Sequence, residues 1–374
     1  MEPGFSPLDE ELQLVPGMLT PLMHTHVVRF GAWLPFQHAA KEMALNHKVT
    51  VSKEQARRKT EQAGAVYEQQ QIQAPSAATC SSPVPERQMM SVDGAMVHTT
   101  SGDWREVKTL TIAQVQPDGS SVKPSYFSRM AEHRLFSVLA EAEVLRRQVR
   151  RSAEVCAVAD GADYNQAVID RLCPRSVRIL DFCHAAEHLA LPLRAVYGEG
   201  TQPFEANFQT QRHELRDGDP DRVLATLSEL AAQFPAQAEI INDTLGYFTK
   251  RRDQINYQTF KAAAWPIGSG AGEAAHKVVV EARLKQAGMR WATDNVNPMV
   301  ALRNLICNDR WDEAWPAVVS HLRHPLCPPA STAPDRDQVP AGTLPPGFKL
   351  KPATPWRNMP VGKAQYSPSS PAKS

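Results

Sequence analysis

No two of the six cysteines (Cys80, Cys156, Cys173, Cys183, Cys307 and Cys327) are spaced C-x-x-C. That argues against a zinc ribbon or a disulfide framework and points to reduced thiols in a cytoplasmic protein. No apolar run reaches the roughly 18 residues of a membrane-spanning helix. The acidic opening MEPGFSPLDEELQL has no apolar h-region, so it does not read as a secretory signal. An excess of one charge is also missing: 41 Lys and Arg face 40 Asp and Glu, so any basic surface must be local. Aromatics are only 7%, too few for the sugar platform that a two-carboxylate glycosidase would use. Neither GxxxxGK[ST] nor GxGxxG occurs, which removes the two common phosphate cradles. No internal repeat is visible. What remains is ordinary globular usage, 42% hydrophobic and 22% charged, in a chain of 374 residues that is long enough for two or three domains.

Residues 1–21 read as a flexible lead-in and residues 22–72 as helices. VVRFGAWLPFQHAAKEMA carries apolar residues at helical spacing, and LNHKVTVS breaks the pattern. Ser52 with Gln55 then fits a capping box opening a helix over about 53–71, which carries Arg57, Arg58 and Lys59. Helix, short turn and basic helix suit a helix-turn-helix DNA module; they suit equally a small bundle with a solvated charged face. QAPSAATCSSPVPER (73–87) reads as a linker. QMMSVDGAMVHTT and WREVKTLTIAQVQ alternate as strands around an SGD turn, and a third strand runs through VKPSYFSR. A helix over about 129–150, a buried strand EVCAVADG (154–161), a helix NQAVIDRL and a strand VRILDFCH (177–184) complete an α/β pattern with a mixed sheet. Residues 185–262 turn helical again. Residues 273–288 read as one helix and NPMVALRNLICNDRWDEAW as another. With 12 prolines in 54 residues, 321–374 can build no core and reads as a disordered Pro-rich tail.

Three acidic residues stand out by position. Asp93 lies inside the first strand, Asp160 ends an apolar one, and Glu273 opens a helix after the glycine loop PIGSGAG. Each has an ordinary reading: Asp-Gly is a common turn, and a first-turn glutamate suits the helix dipole. An ionised aspartate beside a core, however, needs a cation, a metal or several N–H donors. Converging, the three would form a hard-oxygen site suited to Mg²⁺ or Mn²⁺. DFCHAAEHL adds Asp181, Cys183, His184 and His188. A zinc site there lacks a second matching cluster. A polar Asp181–His184 pair that buttresses the carboxylates, or a plain helix cap by Asp181, are the other readings.

The ordered set SVDGAMV…GDWREVKTLTI, VADGADYNQAVIDRLCPRSVRILDFCHAAEHL and WPIGSGAGEAAHKVVVEARLKQAGMRWATDNVNPMVALRN spans roughly residues 88–315. It resembles DDE transposases of bacterial insertion sequences, in the RNase H-like superfamily, and is most similar to the ISKra group. The helical stretch before it also looks like the segment preceding the catalytic domain in that family. The resemblance implies an RNase H-like core in two parts (88–184 and 263–320), interrupted by a helical insertion (185–262). It implies an acid triad of Asp93, Asp160 and Glu273 holding two Mg²⁺ (or Mn²⁺) ions, with Asp181 and His184 in support. It implies DNA as partner, both element terminal repeats and target DNA, bound by a homo-oligomer with no membrane association, in the bacterial cytoplasm at the nucleoid. Arg283 and Lys285 on the Glu273 helix, TKRRD (249–253), and Lys277 one turn beyond Glu273 are expected phosphate contacts, with a solvated face as the alternative. Relatives usually carry a larger aliphatic before the glutamate, so Gly272 is expected to loosen the helix start. A nuclease of the same fold, and an inactive or truncated remnant that only binds DNA, remain as alternatives.

Overall fold

The computed structural model describes residues 19–73 and 83–323, together with Glu11. The expected lead-in, most of the expected linker and the expected tail from residue 324 onward lie outside these residues. Their described edges are regular: Pro21 opens a helix, Arg87 opens a strand, and the last helix runs to Arg323.

Strands Arg87–His98 (β1), Trp104–Val115 (β2), Ser121–Arg129 (β3), Glu154–Ala159 (β4) and Val177–Leu180 (β5) form one sheet in the order β3-β2-β1-β4-β5. β1, β2 and β3 pair antiparallel as a meander, while β4 joins β1 and β5 joins β4 in parallel. The protein is therefore α/β with a mixed five-stranded sheet. Successive side chains alternate between faces. Met90, Val92, Leu110 and Ile112 meet helices His133–Arg146 (α4) and Asp163–Leu172 (α5). The other face is covered by later parts of the chain.

Three helices precede the sheet: Pro21–Trp33 (α1), Phe36–His47 (α2) and Lys53–Gln73 (α3). The apolar run over 27–44 is two helices rather than one, because Pro35 holds Leu34 extended at φ −117° and ψ 158°. The capping box forms as the spacing suggests: the Gln55 N–H donates to Ser52 Oγ at 3.0 Å and the Ser52 N–H to Gln55 Oε1 at 2.9 Å. Five helices separate β5 from the glycine loop: Phe182–Tyr197 (α6), Gln202–Asp217 (α7), Pro220–Gln233 (α8), Ala238–Lys250 (α9) and Tyr257–Ala262 (α10). Gly270–Ala275 (α11) runs on through a π-helical turn, His276–Glu281, and ends at Leu284, short of the expected residue 288. Thr293–Cys307 (α12) and Trp311–Arg323 (α13) are two helices where one is expected. Asp309 between them sits in the left-handed region (φ 55°), a common helix stop. The neighbouring Arg310 binds both oxygens of buried Glu143 at 2.6 and 2.7 Å.

The edge strand β3 is closed by side chains. Asn304 and Asn297 of α12 and Asn308 at its C-cap each accept and donate one hydrogen bond with the backbone of Ser128, Met130 and Tyr126 respectively. Three carboxamides thus replace a neighbouring strand and blunt an edge that would otherwise pair with another chain. Each bond contributes on the order of 0.5–1.5 kcal/mol net.

The N-terminal helices do not stand apart from the sheet. Val28, Ala32 and Ala63 pack with Leu302, Leu305, Trp311 and Trp315 of α12 and α13. Arg129 of β3 is ion-paired to Glu68 of α3.

Candidate active site

Two apolar clusters divide the second face of β1. Near its start Met89 packs with Cys156, Val158 and the five-helix insertion. Near its end Ala95 and Val97 pack with Ala275, Val279 and Val280 of the Glu273 helix. Asp93 shares this face and sits between the clusters, half-buried. In the parallel β1–β4 register Ser91 lies opposite Val158, and Asp93 and Asp160 each come two residues later. Continued by two residues, that register would bring Asp160 alongside Asp93. Asp160 follows the last residue of β4, the strand end where ligands of open α/β sheets bind.

Asp160 is tightly held. Its Oδ1 accepts from the Ala162 N–H at 2.9 Å and from Asn165 Nδ2 at 2.8 Å. Gly161 then adopts φ +81°, and a Cβ there would fall 2.6 Å from the Tyr247 hydroxyl. Tyr247 donates its hydroxyl to the Asp160 carbonyl at 3.0 Å, and Arg251 donates to the Gly161 carbonyl. The Arg251 guanidinium lies over the Tyr247 ring at 4.0 Å, and His188 stacks on that ring at 3.8 Å. The insertion thus clamps the turn that presents Asp160.

Glu273 is delivered by a pinned loop. Asp181 is buried; its Oδ1 caps α6 by accepting the His184 N–H at 3.0 Å, and its Oδ2 accepts the Ser269 N–H. Beside it the Phe182 N–H donates to the Ile267 carbonyl at 3.0 Å. The chain from Ile267 to Ser269 is thereby fastened to the start of α6. Burial acts to raise the Asp181 pKa, but the hydrogen bonds from His184 and Ser269 outweigh it and hold the carboxyl well below the ordinary range. The ring contact of His184 Nδ1 with Asp181 Oδ1 at 3.2 Å, against a smaller burial effect, raises His184 to about 9. The expected strand 177–184 accordingly stops at Leu180, because Asp181 turns the chain into a helix.

Gly272 tightens this junction instead of loosening it. A Cβ at Gly272 would lie 2.7 Å from Ser91 Oγ, on the strand two residues before Asp93. Gly272→Val is expected to lower unfolding free energy by about 1–3 kcal/mol in urea titrations. Ser91→Ala should restore part of the loss by removing the nearest atom. Full stability in Gly272→Val alone would show that the contact is slack.

His276, not anticipated from the sequence, faces the site one turn beyond Glu273. It is buried, neither ring nitrogen has a hydrogen-bond partner among the described residues, and Nε2 lies 3.5 Å from Asp93 Oδ2. Burial lowers its pKa, with Asp93 acting in the opposite direction. The available signal was the three-residue spacing from Glu273, which also fits plain core packing.

The expected cationic contacts divide. Lys277 and Arg58 are exposed, and Lys285 is exposed but paired to Glu281 at 2.7 Å. Arg57 is neutralised by Glu54 and Glu61, and Lys59 is half-buried on the same helix. In TKRRD, Lys250 holds Asp163, Arg251 is spent on the Asp160 turn, and Arg252 holds Asp221. Arg283 departs furthest from expectation. It is 1% exposed, donates to the Gly31 carbonyl at 2.9 Å and lies over Phe36 and Trp291 at 4.5 and 4.9 Å. Burial lowers its pKa to about 10. It joins the Glu273 helix to α1 and cannot reach a phosphate. Arg283→Ala is expected to cost about 2–3 kcal/mol in urea unfolding through the lost charged hydrogen bond and ring contacts. Unchanged stability would contradict this placement.

At the residues of the zinc alternative, His184 Nδ1 lies 3.2 Å from Asp181 Oδ1 and His188 stacks on Tyr247. No helix among the described residues is long and apolar enough to cross a membrane. No family model matches the chain, and no curated protein matches it.

Proposed function

We propose that this chain is a DNA transposase of the DDE type with an RNase H-like core, Asp93, Asp160 and Glu273 forming its acid triad. One observation carries the reading: Asp93 lies within β1, Asp160 directly follows the adjacent parallel strand β4, and a separately anchored loop starts the Glu273 helix against Ser91, two residues before Asp93. The meander bearing the first aspartate, the fourth strand bearing the second and the late helix bearing the glutamate follow the order the resemblance implies.

The donor set fits hard divalent cations. Asp160 Oδ2 and the exposed Glu273 carboxylate accept no hydrogen bond from the described residues, and Asp93 Oδ2 has only the 3.5 Å contact with His276. Among the described residues no three acidic, His or Cys side chains close into a ready cage. Asp93, Asp160 and Glu273 would hold two Mg²⁺ or Mn²⁺ ions, which when bound supply activation of the attacking oxygen and stabilisation of the leaving one. The protein's own part is positional. Asn165 and the Ala162 N–H orient Asp160, Asp181 fixes the Glu273 loop, and the insertion holds the Asp160 turn. The substrate is DNA, nicked at element ends and then joined to target DNA by a homo-oligomer at the bacterial nucleoid. Exposed Lys277 and Arg58 are available to phosphates.

Incubation of supercoiled plasmid carrying the terminal repeats with protein and Mg²⁺ tests the reading. Nicks confined to the repeat ends are expected. Nicks scattered over the plasmid would favour a nuclease of the same fold, and binding without nicks would favour a DNA-binding remnant.

A further inference from the structure

Over residues 182–262 the chain has eight lysines and arginines, and six are matched to carboxylates. Arg194 faces Glu199, Arg222 faces Glu214, Lys250 and Arg251 face Asp163, Arg252 faces Asp219 and Asp221, and Lys261 faces Asp217. Even His213 lies 3.3 Å from Asp217. Arg212 and Arg216 alone in this segment have no ion pair among the described residues.

Their position is not incidental. They stand one turn apart on α7, both exposed, while Leu215 between them is fully buried and locks the helix onto the core. Both guanidinium groups converge on one ring, lying 5.5 and 5.9 Å from the centre of Phe182. Phe182 follows Asp181, and its N–H holds the Ile267 carbonyl in the loop that ends at Glu273. The neighbouring Cys183 thiol registers the surroundings: burial raises its pKa first, the charges of Asp181, Glu273 and Glu187 raise it further, and Arg212 lowers it. Arg212 and Glu273 therefore flank the same residue.

Two like charges one turn apart, neither held in an ion pair among the described residues, repel mildly, and an anion between them reverses that. A guanidinium fork matches a phosphate in shape and charge, and stacking over Phe182 limits the side-chain freedom lost on binding. The geometry points to Arg212 and Arg216 as a phosphate clamp, supplied by the helical insertion, that grips the DNA strand on the Glu273 side of the carboxylate site. This deepens the transposase reading and rests on it for the strand being the one acted upon.

The test is anisotropy titration of a fluorescein-labelled DNA duplex over a range of salt concentrations, comparing wild type with R212Q/R216Q. Loss of two phosphate contacts should reduce the slope of log affinity against log salt by roughly 2 and weaken binding tenfold or more at low salt. R222Q, which removes an arginine already paired to Glu214, should leave the slope unchanged. The single variants, each expected to lower the slope by about 1, serve if the double variant does not fold. An unchanged slope in R212Q/R216Q overturns the clamp. Wild-type nicking with an unchanged slope defeats the clamp alone, whereas a reduced slope with no wild-type nicking upholds the clamp and defeats the transposase reading.

Discussion

Asp160→Asn and Asp93→Asn will each reduce Mg²⁺-dependent DNA nicking by at least about a thousandfold, on the order of 4 kcal/mol in barrier, while leaving DNA binding intact. Asparagine keeps the size of the side chain. In Asp160→Asn its carbonyl oxygen can still accept from the Ala162 N–H and Asn165, so the turn at Gly161 should keep its shape. In Asp93→Asn the bond from the Gly94 N–H at 2.7 Å is likewise retained. The charge that would hold a divalent ion is what disappears. Single-turnover nicking rates, with melting temperatures as the fold control, check this. A variant that nicks within tenfold of wild type would remove that aspartate from the site.

Asp181→Ala should carry the second-largest effect, and it should act at a distance from the reacting atoms. The change strands the buried Ser269 N–H and removes the α6 cap, the bond from the His184 N–H. The stranded Ser269 donor costs about 1–3 kcal/mol and the lost cap about 1, so a loss of about 2–4 kcal/mol in unfolding free energy is expected. Freed from α6, the Ile267–Ser269 loop would let Glu273 drift, and misplacement by about 1 Å can cost a hundredfold in rate. The same pair gives a pH signature. The Asp181 carboxyl is depressed in the folded protein, so its contribution is present above the unfolded carboxylate value, near 3.9, and fades as pH falls through the lower folded value. His184 is raised, so its contribution is complete below the unfolded value near 6.5 and is lost as pH rises through about 9. The stability gap between wild type and Asp181→Ala should therefore be widest between about pH 5 and 6.5 and narrow toward pH 9. A gap that does not change with pH would mean that Asp181 acts by shape alone.

The sheet was legible because its signals are local. Period-two runs around Asp93, an apolar run ending at Asp160 and a turn at SGD each declare themselves within a dozen residues, and the capping box of Ser52 and Gln55 is a four-residue signature. Helix ends were less legible. Leu34–Pro35 is a breaker that apolar spacing can hide, and the stop at Asp309 uses a left-handed residue that need not be glycine. Asp181 read as a cap or as half of a polar pair with His184 supporting the carboxylates, but its bond from the Ser269 N–H, 88 positions away, could not be read from the sequence. Long-range partners were the chief loss. Nothing near Arg283 in the sequence reveals Gly31, Phe36 and Trp291 as its surroundings, so a basic residue on a helix read as surface. The Asn297, Asn304 and Asn308 ladder and the grip of Tyr247 and Arg251 on the Asp160 turn are likewise visible only when the elements meet. Gly272 shows the reverse error, since a residue that flexes an isolated helix start becomes a close contact once Ser91 lies beneath it.

Strand joining separates a transposase from a nuclease or a DNA-binding remnant. A duplex ending in the element's terminal repeat with a free 3′-hydroxyl is incubated with wild-type protein, Mg²⁺ and plasmid target, and the covalently joined product is measured. Joined DNA that requires the divalent ion is expected, and none with Asp93→Asn, Asp160→Asn or Glu273→Gln. Wild-type protein that binds the repeat end yet yields neither nick nor joined product would contradict it.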